Sequence, residues 1–211
     1  MAIKSFVSDT GEDITSSGEP GDLVCTRPFI CQPVAFWGAE GDKKYKSSYF
    51  EKFEGIWHHG DFIQFNPKTG GMIMLGRSDG VLNPAGVRFG SAEIYNVLLK
   101  HFAGQVQDGL CIGRKREDEM DETVVLFVKM EEGKKFDDDL AKAIKTKVRS
   151  ELSARHVPGI IDECPDIPVT VNGKKIEGAV KQIISGSKVK TSASVANADC
   201  MNFYKDWAST H

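Results

Sequence analysis

The alternation of apolar and polar positions divides this chain into two halves of different character. Before residue 79, short apolar runs are separated by Gly, Pro, Ser and Asp, a pattern typical of β-strands joined by loops. One predicted strand covers residues 23–26. Two further runs, 62–65 and 72–75, flank the turn sequence at 66–71, which predicts a hairpin. The first half is therefore predicted to be β-rich.

After residue 79, helical periodicity alternates with apolar runs. Apolar positions three or four residues apart predict helices at 91–100, capped by Ser91, and at 140–152, where three aspartates precede the first turn. A last helix is predicted at 175–185. Three apolar runs predict strands: 110–112, 124–128 and 160–161. The predicted fold class is α+β.

These changes in pattern predict three segments. Residues 1–78 form a β-rich unit, and residues 79–186 form an α+β unit. Residues 187–211 begin with small polar side chains that have little to bury, so a flexible tail is predicted there. The aromatic residues Phe203, Tyr204 and Trp207 are the side chains that could dock its end.

Composition excludes several classes of function. The 211 residues are 40% hydrophobic and 27% charged, which is typical of a soluble globular protein. A net charge of −3 offers no attraction to nucleic acid or to an anionic membrane, and no apolar run reaches the ~18 residues of a membrane span. The five cysteines have no metal-binding spacing, so no metal site is predicted and the cytoplasm is the expected compartment.

Two segments of the first half suggest chemistry. In the sequence WHHGDF, Asp61 is predicted at a sharp turn before a strand, where a carboxylate suits the paired hydroxyls of a ribose. Taken alone, a Gly-Asp pair more often only closes a turn. The adjacent His58 and His59 are predicted to point to opposite faces of an extended strand rather than to share a metal. The segment 75–90 interleaves glycines and arginines, which suits either phosphate binding or a solvated loop.

Two segments of the second half carry candidate cations. Asn172 and Gly173 predict a tight turn that holds Lys174 at its tip, although most lysines in such turns only aid solubility. Arg149 lies on the charged face of the helix at 140–152, where a solvated cation is the usual interpretation.

In this order, four stretches resemble the C-terminal part of the adenylate-forming acyl-CoA synthetases. The stretches are RPFICQPVAFWG, GIWHHGDF, GRSDGVLNPAGVRFGSAEIY and RHVPGIIDECPDIPVTVNGKKIE, and the resemblance covers roughly residues 20–186. It implies that the first half is the β-rich end of a large N-terminal domain. The second half then corresponds to the family's small α+β lid, with the hinge at Asp79.

The resemblance also implies roles for single residues. Asp61 is similar to the carboxylate that binds the ribose of ATP, and Arg77 to the arginine that assists it. Lys174 is similar to the lysine that drives adenylation, with a one-residue ambiguity because Lys175 follows. The remaining matches are Arg88 for the nucleotide phosphate, and Gly86 and Arg149 for coenzyme A.

The implied activity is an acid–thiol ligase that uses ATP, Mg²⁺ and coenzyme A, with acetoacetate as the acid. Acetate or another short-chain acid is the alternative, because the acid pocket of the family lies upstream of these residues. The phosphate loop of the family is upstream as well, so the chain is expected to be a C-terminal fragment that is inactive alone. A non-catalytic module that binds coenzyme A or a protein partner is the other alternative. The sequence indicates no oligomeric state.

Overall fold

The computed structural model describes residues 1–187 and 195–211, and these divide into two compact units, Met1–Asp79 and Gly80–His211. The division lies next to the break that the sequence pattern places at residue 79. Residues 188–194, part of the predicted tail, lie outside the described residues.

The first unit is an antiparallel sheet with one helix. The strands are β1 (Ile3–Phe6), β2 (Gly21–Cys25), β3 (Trp57–Phe65) and β4 (Met72–Arg77), and the helix is α1 (Gly41–Tyr49). The strands lie side by side in sequence order, β1-β2-β3-β4. Trp57 belongs to the small core and stacks on Tyr49 of α1 at 3.7 Å between ring centroids. The predicted hairpin is confirmed, since β3 pairs antiparallel with β4.

The second unit is a three-stranded sheet covered by helices, which confirms the α+β prediction. The elements are α2 (Ser91–His101), β5 (Val106–Arg114), β6 (Thr123–Met130), α3 (Asp138–Glu151), β7 (Ile160–Glu163), α4 (Glu177–Ile184) and α5 (Met201–Thr210). In the sheet, β5 pairs antiparallel with β6, and β6 pairs parallel with β7. The helices predicted from periodicity all form, and Asp137 caps α3 by accepting a hydrogen bond from the N–H of Leu140.

Both faces of this sheet are buried, because successive side chains of a strand point to opposite sides. On one face, Leu126 and Val128 pack with the apolar sides of α2 and α3. On the other face, Val125 and Phe127 pack with α4 and α5. The continuous apolar run at 124–128 is thus a central strand covered on both sides.

Three sequence predictions need correction. Ser91 does not cap α2, since Gly90 occupies the cap position and the Ser91 hydroxyl donates instead to Glu177. Asp61 does not lie at a turn before a strand, because β3 begins at Trp57 and runs through it. The predicted flexible tail is wrong for residues 198–210, which form a short 3₁₀ turn and α5, with Tyr204 and Trp207 buried against Phe127.

Candidate functional site

Asp61 and Arg77 face each other across β3 and β4. The strand register pairs the two residues, and the Arg77 guanidinium donates to Asp61 Oδ1 at 3.0 Å. Arg77 Nε also lies 3.5 Å from Asp79 Oδ1, so one guanidinium stands between two carboxylates. The Asp61 side chain is only 17% exposed, whereas that of Arg77 is 59% exposed. The Asp61 carboxylate is therefore fixed by its hydrogen bond to Arg77, while the Arg77 guanidinium remains accessible to solvent.

The strand is shaped around this pair. Gly60 has a φ of +80°, a backbone conformation that favours glycine, and a Cβ at this position would lie 2.8 Å from the guanidinium of Arg77, which would have to move. His59 lies on the same side, with Nε2 3.5 Å from Asp61 Oδ2. Because Trp57 donates to His59 Nδ1 at 3.1 Å, the neutral ring carries its proton on Nε2, toward the carboxylate. His58 instead faces the buried Asp22, as expected for adjacent residues of a strand.

Asp22 is a buried charge that sequence patterns did not single out. It accepts hydrogen bonds from Lys52 and Ser78, each at 2.5 Å, and lies 3.7 Å from His58. Burial alone raises the pKa of this carboxyl, but His58, Lys52 and Ser78 more than offset the burial and hold the pKa well below its usual range. Through this hydrogen bond, Ser78, which directly precedes the predicted hinge at Asp79, is held in the first unit.

Gly86 and Arg88 lie together on the loop at 83–88. The loop begins after Leu82 and ends before Phe89, and the two buried residues pair through hydrogen bonds of 3.0 Å. Gly86 has a φ of +80° and is exposed, with open space where a Cβ would stand. The backbone at this point is accessible to a ligand.

Lys174 lies at the tip of a tight turn, as its sequence predicts. The turn is closed by hydrogen bonds from Thr170 N to Lys174 O and from Gly173 N to Thr170 O, both at 2.8 Å. Gly173 has a φ of +75°, which the turn requires. The Lys174 side chain is exposed and makes no ion pair or hydrogen bond with the described residues.

Lys175 has a different environment. Its ammonium donates to Asp108 Oδ1 at 2.5 Å and to Gly109 O at 2.7 Å, and it lies 3.9 Å from the ring centroid of Tyr95. The Tyr95 hydroxyl donates to Glu177 at 2.6 Å, and burial raises the pKa of this phenol well above its ordinary value. The Lys175 ammonium is therefore fixed against β5, whereas the Lys174 side chain extends into solvent.

Arg149 lies in the last turn of α3 and is exposed. The helix packs through Leu140, Ile144 and Val148, which leaves Arg149 on the opposite, solvent-facing side. Its position is suited to an anionic group arriving from solvent.

The described residues offer no preformed metal site. Among them, no three His, Cys, Asp or Glu side chains cluster in a way that could hold an ion. All five cysteines lie in the described part and are free thiols, and burial raises the pKa of Cys164 to about 12. Within the same residues, no helix is both long and apolar enough to cross a membrane.

Part of the second unit is similar to a known protein family. Residues 93–174 match the family model described as the AMP-binding enzyme C-terminal domain. The solved structure of acetoacetyl-CoA synthetase from Streptomyces lividans superimposes with a TM-score of 0.86 at 34% sequence identity, covering 99% of this chain and 30% of that one. This chain is homologous to acetoacetyl-CoA synthetases.

Two curated relatives are more similar in sequence. Acetoacetyl-CoA synthetase of Macaca fascicularis is 52% identical over 206 residues, which cover 98% of this chain and 30% of the relative. Malonamoyl-CoA synthetase of Penicillium aethiopicum is 54% identical over 210 residues, which cover 99% of this chain and 28% of the relative. The chain thus spans about 30% of the length of the synthetases that it matches.

The structure brings only some of the candidate residues together. Asp61, Arg77 and Asp79 lie together in the first unit. The others are on three separate elements of the second unit: Gly86 and Arg88 on one loop, Arg149 on α3 and Lys174 on a turn. Sequence analysis proposed these residues as candidates but did not indicate Asp22 or the contacts of Lys175. The partners of Asp22 and Lys175 are distant in the chain, so no local pattern marks these contacts.

Proposed function

We propose that this chain is the C-terminal part of a ligase that joins acetoacetate to coenzyme A through an acyl-adenylate. The overall reaction converts acetoacetate, ATP and coenzyme A to acetoacetyl-CoA, AMP and pyrophosphate. The observation that carries the proposal is the contrast between Lys174, exposed at a turn tip, and Lys175, fixed on Asp108. Such an activity would consume a ketone body and supply a thioester for lipid metabolism.

Lys174 is the residue assigned to the first half-reaction. A carboxylate oxygen attacks the α-phosphate of ATP, the new O–P bond forms and pyrophosphate leaves. Both reactants are anions, so an ammonium placed between them reduces their repulsion and stabilises the charge that develops in the transition state. An accessible lysine on a short turn is suited to entering the site and withdrawing from it.

The first unit supplies the groups assigned to ATP. The Asp61 carboxylate would accept hydrogen bonds from both ribose hydroxyls, while the hydrogen bond from the Arg77 guanidinium holds the carboxylate in position. Mg²⁺ fits this scheme as part of MgATP, since it is commonly held by substrate phosphates with few protein ligands. No step depends on a metal ligand from this chain.

The second half-reaction is assigned to the other face of the lid. The thiol sulfur attacks the acyl carbonyl and loses its proton to solvent; the C–S bond of the thioester forms, the C–O bond to the phosphate breaks, and AMP leaves. Gly86 would admit the pantetheine arm because it has no side chain, Arg88 would bind the nucleotide phosphate, and Arg149 would bind phosphate groups of coenzyme A. Rotation of the second unit about Asp79 would withdraw Lys174 from the reacting groups and bring Gly86 and Arg88 to them.

The names of the relatives indicate two closely similar acids. Acetoacetate and malonamate differ only in a methyl against an amino group on the same β-carbonyl, and the relatives named for the two products are almost equally similar to this chain. We assign acetoacetate because it is shared by the macaque and Streptomyces homologues. Selection between the two acids would be made by residues outside this chain.

Separate half-reactions test the role of Lys174. In a fusion of this chain to the large domain of the Streptomyces enzyme, Lys174→Ala is expected to slow adenylation by a factor on the order of 100 to 1,000. Adenylation is measured as ATP–pyrophosphate exchange in the presence of acetoacetate. Thioester formation from supplied acetoacetyl-adenylate should stay within a few-fold of the parent fusion.

Lys175→Ala is the matched control, since it removes the neighbouring charge and leaves Lys174 in place. It is expected to slow adenylation far less than Lys174→Ala. Equal loss of both half-reactions in Lys174→Ala would contradict the assigned role. Turnover of acetoacetate by the 211-residue chain alone would contradict the requirement for the large domain.

A further inference from the structure

The loop at 83–88 is fixed at its base by the core of the second unit. Leu82 and Phe89 exchange two backbone hydrogen bonds of 3.0 Å, and their side chains are 0% and 2% exposed. Both side chains belong to the cluster between the sheet and helices α2 and α3. The two ends of the loop are therefore as immobile as the core, and its shape depends on what holds the middle.

Two carboxylates from the connection between β5 and β6 hold the first half of the loop. Glu122 Oε1 accepts a hydrogen bond from the N–H of Asn83 at 2.7 Å, and Asp121 Oδ2 accepts one from the N–H of Ala85 at 2.6 Å. Glu122 Oε2 also forms an ion pair of 3.1 Å with Lys181 of α4. Hydrogen bonds to ionised acceptors are stronger than neutral ones, and the Glu122 side chain is only 10% exposed.

The conformation of the loop requires such external support. Ala85 has φ 50° and ψ 36°, and among the described residues it is the one non-glycine residue with a positive φ. This left-handed conformation brings Cβ close to the following carbonyl and is disfavoured for every residue with a side chain. The N–H that Asp121 binds is that of Ala85 itself, directly before Gly86.

Gly113 of β5 leaves space for the carboxylate of Glu122. A Cβ at Gly113 would lie 2.1 Å from the carboxyl carbon and from Oε1 of Glu122. Glycine within a strand costs stability, so its use here is explained by the carboxylate that packs over it. Three separate observations, at Ala85, Gly113 and Lys181, thus converge on one pair of acidic residues.

We infer that Asp121 and Glu122 are positioning residues for thioester formation: they hold the loop at 83–88 in the shape that presents Gly86 to the pantetheine thiol. The inference rests on the proposed function, in which Gly86 lies on the path of coenzyme A. The two carboxylates act only through the backbone of the loop and touch no substrate.

Amide hydrogen exchange on the 211-residue chain tests the physical part of this inference. In Asp121→Ala the N–H of Ala85, and in Glu122→Ala the N–H of Asn83, are expected to exchange at least tenfold faster. Amides of β6, such as that of Leu126, should keep their protection, which separates local release of the loop from a general loss of stability. Unchanged exchange at both loop amides would overturn the inference.

Two further variants test whether the side-chain oxygen of Glu122 is what protects the N–H of Asn83 from exchange. Glu122→Gln keeps an oxygen at the Oε1 position and loses the charge, so the N–H of Asn83 should remain closer to wild type than in Glu122→Ala. Gly113→Ala should displace Glu122 and release the same amide, although both carboxylates are present. If the Gln variant exchanges as fast as the Ala variant, the hydrogen bond is not what holds the loop.

The catalytic part is tested in the fusion to the Streptomyces large domain. Asp121→Ala and Glu122→Ala are expected to slow thioester formation from supplied acyl-adenylate at least tenfold, with ATP–pyrophosphate exchange changed by less than twofold. Equal loss of the two half-reactions would overturn the inference. Failure of Lys174→Ala to separate the half-reactions would instead count against the proposed function, and the exchange data would show independently whether the carboxylates shape the loop.

Discussion

At the scale of single residues, the unusual group of the first unit is Asp22, a fully buried carboxylate. Its hydrogen bonds to Lys52 and Ser78, with His58 nearby, hold its pKa below the ordinary value of about 3.9. A carboxyl whose pKa is lower in the folded than in the unfolded state stabilises the fold above the unfolded pKa. That stabilisation is lost progressively as the pH falls toward the folded pKa.

Replacing Asp22 by Asn is therefore expected to lower the free energy of unfolding of the first unit by about 3 kcal/mol at pH 6, since it breaks a buried charge pair. The difference from wild type should shrink at pH 3, where the wild-type carboxylate begins to lose its advantage. Urea unfolding followed by tryptophan fluorescence measures both values.

Asp13→Asn is the control for this experiment. Asp13 also pairs with a lysine, Lys4, but both side chains are about 40% exposed, so a change below about 1 kcal/mol is expected. A deficit for Asp22→Asn that is as large at pH 3 as at pH 6 would show that packing, rather than charge, accounts for the effect.

At the scale of elements, helices with a regular apolar stripe were predictable and the others were not. The stripe of α3, formed by Leu140, Ile144 and Val148, marks the helix directly. Helix α1 has only Tyr45 and Tyr49 on an otherwise polar surface, and it forms because both rings pack against Trp57. Such long-range aromatic contacts leave no periodic signal in the local sequence.

Helix α5 was missed for a related reason, because small polar residues precede it. Trp207 is 6% exposed, donates to Asp162 at 2.6 Å and packs edge-on against Phe127 at 5.0 Å between centroids. Trp207→Ala is expected to lower the free energy of unfolding of the second unit by about 3 kcal/mol. Denaturant unfolding followed by far-ultraviolet circular dichroism measures this change.

Lys205→Ala serves as the matched control on the same helix. Lys205 is exposed, so its loss should change the stability by less than about 0.5 kcal/mol. Equal effects of the two substitutions would show that α5 does not contribute to the core in solution.

At the scale of the whole molecule, much of the fold and part of the candidate site could be predicted. The change from β-rich to mixed sequence and the turn that carries Lys174 are local properties of the chain. The pairing of Asp61 with Arg77 depends on the register of β3 against β4. The hydrogen bonds of Asp121 and Glu122 to the loop at 83–88 join segments that are far apart in sequence. Contacts of this kind are set by tertiary packing, so no short stretch encodes them.

The second unit contains its own complete core, with buried clusters on both faces of its sheet. Residues 80–211 expressed alone are therefore expected to fold and to unfold cooperatively on heating. A dispersed proton–nitrogen NMR spectrum and calorimetry are the measurements. The same segment with Ile144→Asp, which places a charge at a fully buried position, should lose the dispersed spectrum. A collapsed spectrum for the unsubstituted segment would contradict this expectation.

The two adjacent lysines, Lys174 and Lys175, constrain the length of the turn that precedes them. On an extended backbone, neighbouring side chains leave on opposite sides, which is why one ammonium group is tethered inward on Asp108 and the other extends into water. Deleting or inserting one residue between Thr170 and Gly173 would exchange these two directions. The turn at 170–174 can accordingly accept many changes of side chain during evolution, but very few changes of length.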